Sequence, residues 1–151
     1  MLFRVRKIVN TYLICTRNGV ILRFHKRFKK WTVCKGYKRE DGYLQIKIDG
    51  NLYLMHRVAS HIYGILDLHD ELQIDHIDLN RSNNCISNLR PATSQQNSFN
   101  TKAKGYSWNK RSKKWKAVIC LNGKKIHLGY FEKEEDAKNA YLKAKAIYHI
   151  L

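Results

Sequence analysis

The chain has 151 residues, room for one modest core or two small ones, and its 44% hydrophobic content excludes a wholly disordered protein. Its formal net charge of +17 points to a polyanionic partner, usually nucleic acid. No apolar run approaches the ~20 residues of a membrane-spanning helix, and neither end of the chain shows a basic amphipathic helix with a broad bulky apolar face, so membrane binding is not expected.

The charge is unevenly spread. Residues 1–54 hold 13 Lys and Arg against 3 acids, residues 55–103 hold 4 against 5, and residues 104–151 hold 12 against 4. A near-neutral middle that could collect a cation lies between two strongly basic flanks suited to phosphates. This predicts three domains: a basic N-terminal β region over 1–54, a core over 55–103 and a sheet-plus-helix domain over 104–151. The opening MLFRVRKIVN lacks a long apolar core and a small-residue cleavage site, so no signal peptide is expected and a cytoplasmic address follows. Cys15, Cys34, Cys85 and Cys120 contain no CxxC pair, which argues against structural zinc and against a disulfide framework.

In chain order, short strands are predicted over Ile8 to Cys15, Val20 to Phe24, Trp31 to Cys34 and Tyr43 to Ile48, with turns at Asn18-Gly19 and Asp49-Gly50-Asn51. Between them Arg23 to Lys30 mixes aromatic rings with cations, which suits a phosphate backbone and a solvated hairpin equally. Leu54, Val58, Ile62 and Ile65 recur at helical intervals, so a helix is predicted over Tyr53 to Ile65, with His56 near its start.

Residues 72–100, LQIDHIDLNRSNNCISNLRPATSQQNSFN, carry the densest chemistry. Leu72, Ile74 and Asp75-His76 read as a short strand ending in its functional residues. Asp78, Asn80, Arg81, Ser82, Asn83 and Asn84 resist regular structure, because their side chains bond nearby backbone, and predict a loop before a return strand through Asn88-Leu89-Arg90. Thr93 followed three residues later by Gln96 has the form of a capping box, so a helix should begin near Ser94 and carry Asn97 and Asn100. Strand, loop, strand and helix can bring Asp75, His76 and Asn97 together. A histidine is suited to act as a base near pH 7, while a carboxylate and an amide oxygen suit a hard cation that keeps its waters.

The pattern resembles the HNH endonucleases of the His-Me finger (ββα-metal) class, through Asp75-His76, Asn88 twelve residues after the histidine and Asn97 twenty-one after it. The resemblance implies that His76 is the general base, that Asp75 and Asn97 ligate one divalent cation (Mg2+, with Mn2+ able to substitute), and that Asn88 ties the loop so that His76 points inward. Gly42-Tyr43-Leu44 running on to His56-Arg57 resembles the segment that precedes this motif in phage homing endonucleases.

From residue 104 the signal is a hairpin, with Asn122-Gly123 between Trp115 to Leu121 and Lys124 to Phe131. A two-residue loop sets Leu121 opposite Lys124, Ile119 opposite Ile126, Ala117 opposite Leu128 and Trp115 opposite Tyr130. Glu132 to Leu151 reads as an amphipathic helix whose stripe of Ala137, Ala140, Tyr141, Ala144, Ile147 and Tyr148 should cover the sheet. Gly105-Tyr106-Ser107-Trp108, Trp115-Lys116-Ala117 and Leu128-Gly129-Tyr130-Phe131 resemble the ethylene-response-factor type DNA-binding domain, which implies that the open face carrying Trp108, Lys116, Val118, Cys120, Lys125 and His127 reads DNA.

Together these readings predict an α+β protein with a small N-terminal β-sheet region, a ββα-metal nuclease core and a C-terminal three-stranded antiparallel sheet packed on one helix. The expected function is a metal-dependent, homing-type HNH endonuclease. It would act as a monomer on double-stranded DNA inside a phage-infected bacterial cell, nicking one strand to leave 5′-phosphate and 3′-hydroxyl ends. Arg57, Arg90, Lys110 and Arg111 are added to the DNA contacts. The alternative is a non-catalytic, sequence-selective DNA-binding protein or regulator.

Overall fold

A computed structural model describes residues 3–101 and 104–149 as an α+β chain of two compact units, residues 1–97 and 98–151. In the first, β1 (Phe3–Ile8), β2 (Thr11–Thr16), β3 (Ile21–His25) and β4 (Lys30–Val33) form an antiparallel sheet in that order. The single strand expected over Ile8 to Cys15 is broken at Val9 and Asn10. Val9 takes φ 53°, and the turn is held from a distance: the Asn10 amide and the Thr11 hydroxyl both donate to the Asp49 carboxylate at 2.8 Å. A β-branched residue at positive φ leaves no local signal, so the sequence hides this turn.

A second sheet comprises β5 (Tyr37–Lys38), β6 (Leu44–Ile48) and β7 (Asn51–Leu54), and β7 leads directly into α1 (Met55–Tyr63), which stops at Gly64 with φ 72°. Tyr53 and Leu54, expected in the helix, instead pair with Ile46 and Gln45. Leu13, Cys15 and Ile21 of the first sheet, Ile46 and Ile48 of the second, Val58, Ala59 and Ile62 of α1, and Ile74 and Leu89 beyond it share one core. The expected division at 54/55 therefore falls inside a single hydrophobic cluster.

The ribbon of β8 (Gln73–His76) and β9 (Leu89–Ala92) pairs Asp75 with Arg90 and His76 with Leu89. After it, α2 (Ser94–Phe99) opens on the predicted capping box. Thr93 N donates to Gln96 Oε1 at 2.9 Å and Gln96 N to Thr93 Oγ1 at 3.1 Å.

In the second unit β10 (Tyr106–Asn109), β11 (Lys114–Leu121) and β12 (Lys124–Phe131) form a meander against α3 (Glu134–Tyr148). Asn122 and Gly123 turn the hairpin with φ 51° and 73°, both positive as a two-residue turn of this type requires. The predicted register holds for Leu121 with Lys124 and Ile119 with Ile126, then slips by one residue: Ala117 pairs with Gly129, Lys116 with Tyr130 and Trp115 with Phe131. A β-bulge at Leu128 and Gly129 is the cause, with Gly129 at φ 138°, and the interior glycine was its only trace in the sequence. Leu128 stays with the core of Ile119, Tyr141 and Ala144, while Tyr130 turns outward. The helix stripe is shorter than predicted. Ala137, Tyr141 and Ala144 are buried, but Ile147 and Tyr148 are exposed.

The turn between β2 and β3 touches the loop between β8 and β9. Gly19 has φ 75°, and a Cβ there would overlap the Asn84 carbonyl, whereas Gly50, at φ 88°, has open space. Gly50→Ala should cost about 1 kcal/mol of backbone strain, and Gly19→Ala about 2 kcal/mol or more once overpacking is added. Urea denaturation of the two variants measures the gap, and equal losses would show that the loop yields.

Candidate active site

His76 ends β8 with 3% of its surface exposed. Its Nε2 lies 3.1 Å from Asn84 Oδ1. A neutral imidazole with its proton on Nε2 satisfies this contact, the amide oxygen accepting. Two rings flank the imidazole: Tyr43 at 5.7 Å and His56 at 5.0 Å between centroids, the latter edge-on. Burial pulls the His76 pKa below the usual histidine value, against the Asn84 hydrogen bond, which raises it. His56, in α1, is 4% exposed, and its Nδ1 has no hydrogen-bond partner. Burial, then the neighbouring His76 and Arg57, lower its pKa to about 3.

Asp75, also 3% exposed, faces away from His76 along the strand, as alternation requires. Its Oδ2 accepts from Arg90 Nε at 2.9 Å and Nη2 at 2.7 Å. Asn97, on α2, donates through Nδ2 to Gln73 Oε1 at 2.5 Å. Gln73 and Asp75 share one face of β8, so the amide is docked on the same side of the ribbon as the carboxylate. One carboxylate and one amide oxygen fit a hard, mostly hydrated divalent cation. No cluster of three His, Cys, Asp or Glu side chains occurs among the described residues.

Asn88 is 8% exposed and spans the loop. Its Oδ1 accepts from Asp78 N, and its Nδ2 donates to Asp78 Oδ1 and to the Asn83 carbonyl, each at 2.9 Å. These bonds shape the loop, while the bond to the His76 ring comes from Asn84. In the sequence Asn84 reads as a loop former, and nothing there marks Tyr43, 33 positions before His76, for the site.

The other expected contact residues are dispersed. Arg57 donates to the carbonyls of Leu68, Asp70 and Leu72, tying down the segment after α1, and Arg90 is engaged with Asp75. Lys110 and Arg111 are exposed in the turn before β11. Lys116, Lys125 and His127 share the sheet face opposite α3, joined by Tyr130, which packs 4.7 Å from His127. Trp108 pairs with Trp115 and so lies on the other face, with 48% of its surface exposed. Arg27 and Lys30 lie over Phe28, 62% exposed, in the turn of the β3–β4 hairpin.

A histidine neutral in the fold but with an ordinary value of 6.5 when unfolded makes the unfolded state bind the extra proton between about pH 6.5 and 3. Stability contributed by neutral His56 is thus complete above pH 6.5 and falls as the solution is acidified. Between pH 7 and 5, His56→Leu should lose less stability than the parent, by about 1–2 kcal/mol. Denaturation at the two pH values reads the difference, and parallel losses would exclude His56 as the source.

Residues 53–99 match the HNH endonuclease family. An uncharacterized HNH endonuclease of Acanthamoeba polyphaga mimivirus is 34% identical over 124 residues, 74% of this chain and 63% of that protein. Protein 3.8 of Escherichia phage T7 is 39% identical over 59 residues, 34% of this chain and 49% of its own length. The chain thus spans less than two thirds of either relative. A structure of the HNH homing endonuclease I-HmuI aligns with TM-score 0.47 at 22% identity, over 76% of this chain and 70% of that one. No helix among the described residues is long and apolar enough to cross a membrane. The family match runs from the end of β7 through α1 and the β8–β9 ribbon to α2, the segment that carries Asp75, His76, Asn88 and Asn97.

Proposed function

We propose that this chain hydrolyses a phosphodiester of double-stranded DNA, with His76 as general base, and nicks one strand to leave 5′-phosphate and 3′-hydroxyl ends. The observation that carries this reading is the buried His76, bonded through Nε2 to Asn84 within the family-matched segment. In the neutral ring that donates from Nε2, Nδ1 is the nitrogen that would take a proton from water. Asp75 and Asn97 would hold one divalent cation, Mg2+ with Mn2+ as substitute. Such an ion neutralises charge developing on the phosphate. Asn88 keeps the loop in shape, and Arg90 fixes the Asp75 carboxylate.

Charge supports the choice of substrate. Both units are basic, and the second presents Lys116, Lys125 and His127 on the sheet face opposite α3, where a β-sheet can meet a groove of the duplex. The β3–β4 hairpin adds Lys26, Arg27, Lys29 and Lys30 around an exposed ring. The Arg90 fork on Asp75 favours the second reading, a non-catalytic DNA-binding protein, because it already neutralises the carboxylate.

Supercoiled plasmid with Mg2+ separates the two: relaxed circles support the nuclease, and intact supercoils with retained binding support the regulator. His76→Ala should cut at least about 100-fold more slowly without losing DNA affinity; near-parental cutting would remove His76 from the chemistry. Asp75→Ala and Asn97→Ala should raise the Mg2+ concentration needed for half-maximal nicking, whereas Asn88→Ala should mainly lower the denaturation midpoint. A loss of metal response in a fully folded Asn88→Ala would reverse that assignment. Lys116→Ala with Lys125→Ala should reduce the slope of log affinity against log salt by about 1.8, at 0.9 per phosphate contact. An unchanged slope would move the grip elsewhere.

A further inference from the structure

We propose that Tyr43, ten positions before the family-matched segment, is a positioning residue that sets the plane of the His76 ring. The inference rests on the reading of His76 as the base. The hydrogen bond at Nε2 restrains the imidazole at its tip, and because the torsion about Cβ–Cγ is broad and roughly two-fold, that bond by itself does not fix the plane of the ring. A pivot moves Nδ1 and leaves Nε2 nearly still. Packing on the ring opposes it. His56 closes one side edge-on, and Tyr43 lies against both histidines, 5.0 Å from His56 and 5.7 Å from His76, tilted 52° to the latter.

Tyr43 is itself held. In its turn, Arg39 N donates to the Tyr43 carbonyl at 2.8 Å, Gly42 N to the Arg39 carbonyl at 3.0 Å, and Tyr43 N to Asp41 Oδ1 at 3.3 Å. From the opposite side the β8–β9 loop latches on. The Arg81 guanidinium lies 4.9 Å over the Tyr43 ring and donates to the Asp41 carbonyl at 2.9 Å, and Ser82 Oγ donates to the Gly42 carbonyl at 2.8 Å. The ring is thus a wedge clamped between the loop that carries Asn84 and the strand that carries His76.

The test is steady-state nicking by the full chain together with the long-range imidazole spectrum of its histidines. Tyr43→Leu should lower kcat at saturating DNA by about tenfold or more, since small misplacements of a reacting group cost up to about 100-fold, with KM unchanged. Tyr43→Phe keeps the ring and should restore kcat. Should Tyr43→Leu fail to fold, Arg81→Met, an exposed change that removes only the latch, should lower kcat in the same direction. Parental kcat in either folded variant overturns the proposal, as does a Tyr43→Phe loss equal to that of Tyr43→Leu, which would make the hydroxyl the active part. The spectrum needs no turnover: His76 ring signals should shift in Tyr43→Leu while those of His127 stay in place. A chain that never nicks yet shows this shift would sink the nuclease reading and leave the wedge standing. Unmoved His76 signals would sink the wedge.

Discussion

Everything at the site depends on nine residues, 77–85, that have no regular structure and must nevertheless stand still. A loop of this kind has no ladder of its own, so its backbone polar groups need partners supplied one at a time. Asp78 is the internal hub. Its Oδ1 takes the Asn80 amide at 2.8 Å and Asn88 Nδ2 at 2.9 Å, and its Oδ2 takes Asn83 Nδ2 at 2.7 Å. Those hydrogen bonds, Asn83's first, hold the Asp78 carboxyl below its ordinary pKa, which keeps it charged and accepting at neutral pH. The side chains that look like loop filler in the sequence are thus the loop's substitute for secondary structure.

The internal hub fixes shape, and placement comes from outside. On one flank, Ile86 N donates to the Arg17 carbonyl at 2.9 Å, and Gly19 leaves just enough room for the Asn84 backbone. On the other flank, Arg81 and Ser82 bond the turn that holds Tyr43. Residues from the N-terminal sheets therefore enclose the loop on two sides. This is why a division at 54/55, natural on charge alone, separates parts that work as one body. The charge map records where cations gather, whereas the shared core of Ile8, Leu13, Ile46, Val58 and Ile74 records what folds together.

Much of this was legible in order along the chain, because the strongest signals were local. The capping box at Thr93 and Gln96, the Asn122-Gly123 hairpin and the strand ending in Asp75-His76 each rest on a few neighbouring residues whose backbone chemistry admits few alternatives. Three features escaped for the same reason in reverse. The turn at Val9 is held by Asp49, some 40 positions later, and Tyr43 meets His76 only through the tertiary fold. At Gly129 a strand pattern hides a bulge that moves Tyr130 to the cationic face and Phe131 away from it. The histidine and its candidate ligands could be named from the resemblance to a family motif, but the residue that bonds the ring, Asn84, could not be told from its neighbours Asn80 and Asn83.

The two outside clasps also set an order of assembly. Cys85 to Arg17 and Arg81 to Asp41 span 68 and 40 positions, so the loop closes only through contacts that are distant along the chain. Contacts of that separation form late, after the entropy of closing a large loop has been met. During synthesis the two N-terminal sheets emerge first and can pair by short hairpins before residue 77 exists. The frame is then ready when the loop arrives, and a chain caught before that moment carries His76 on a strand end with neither Asn84 nor Tyr43 against it. The surroundings of His76 are complete only once the loop has closed.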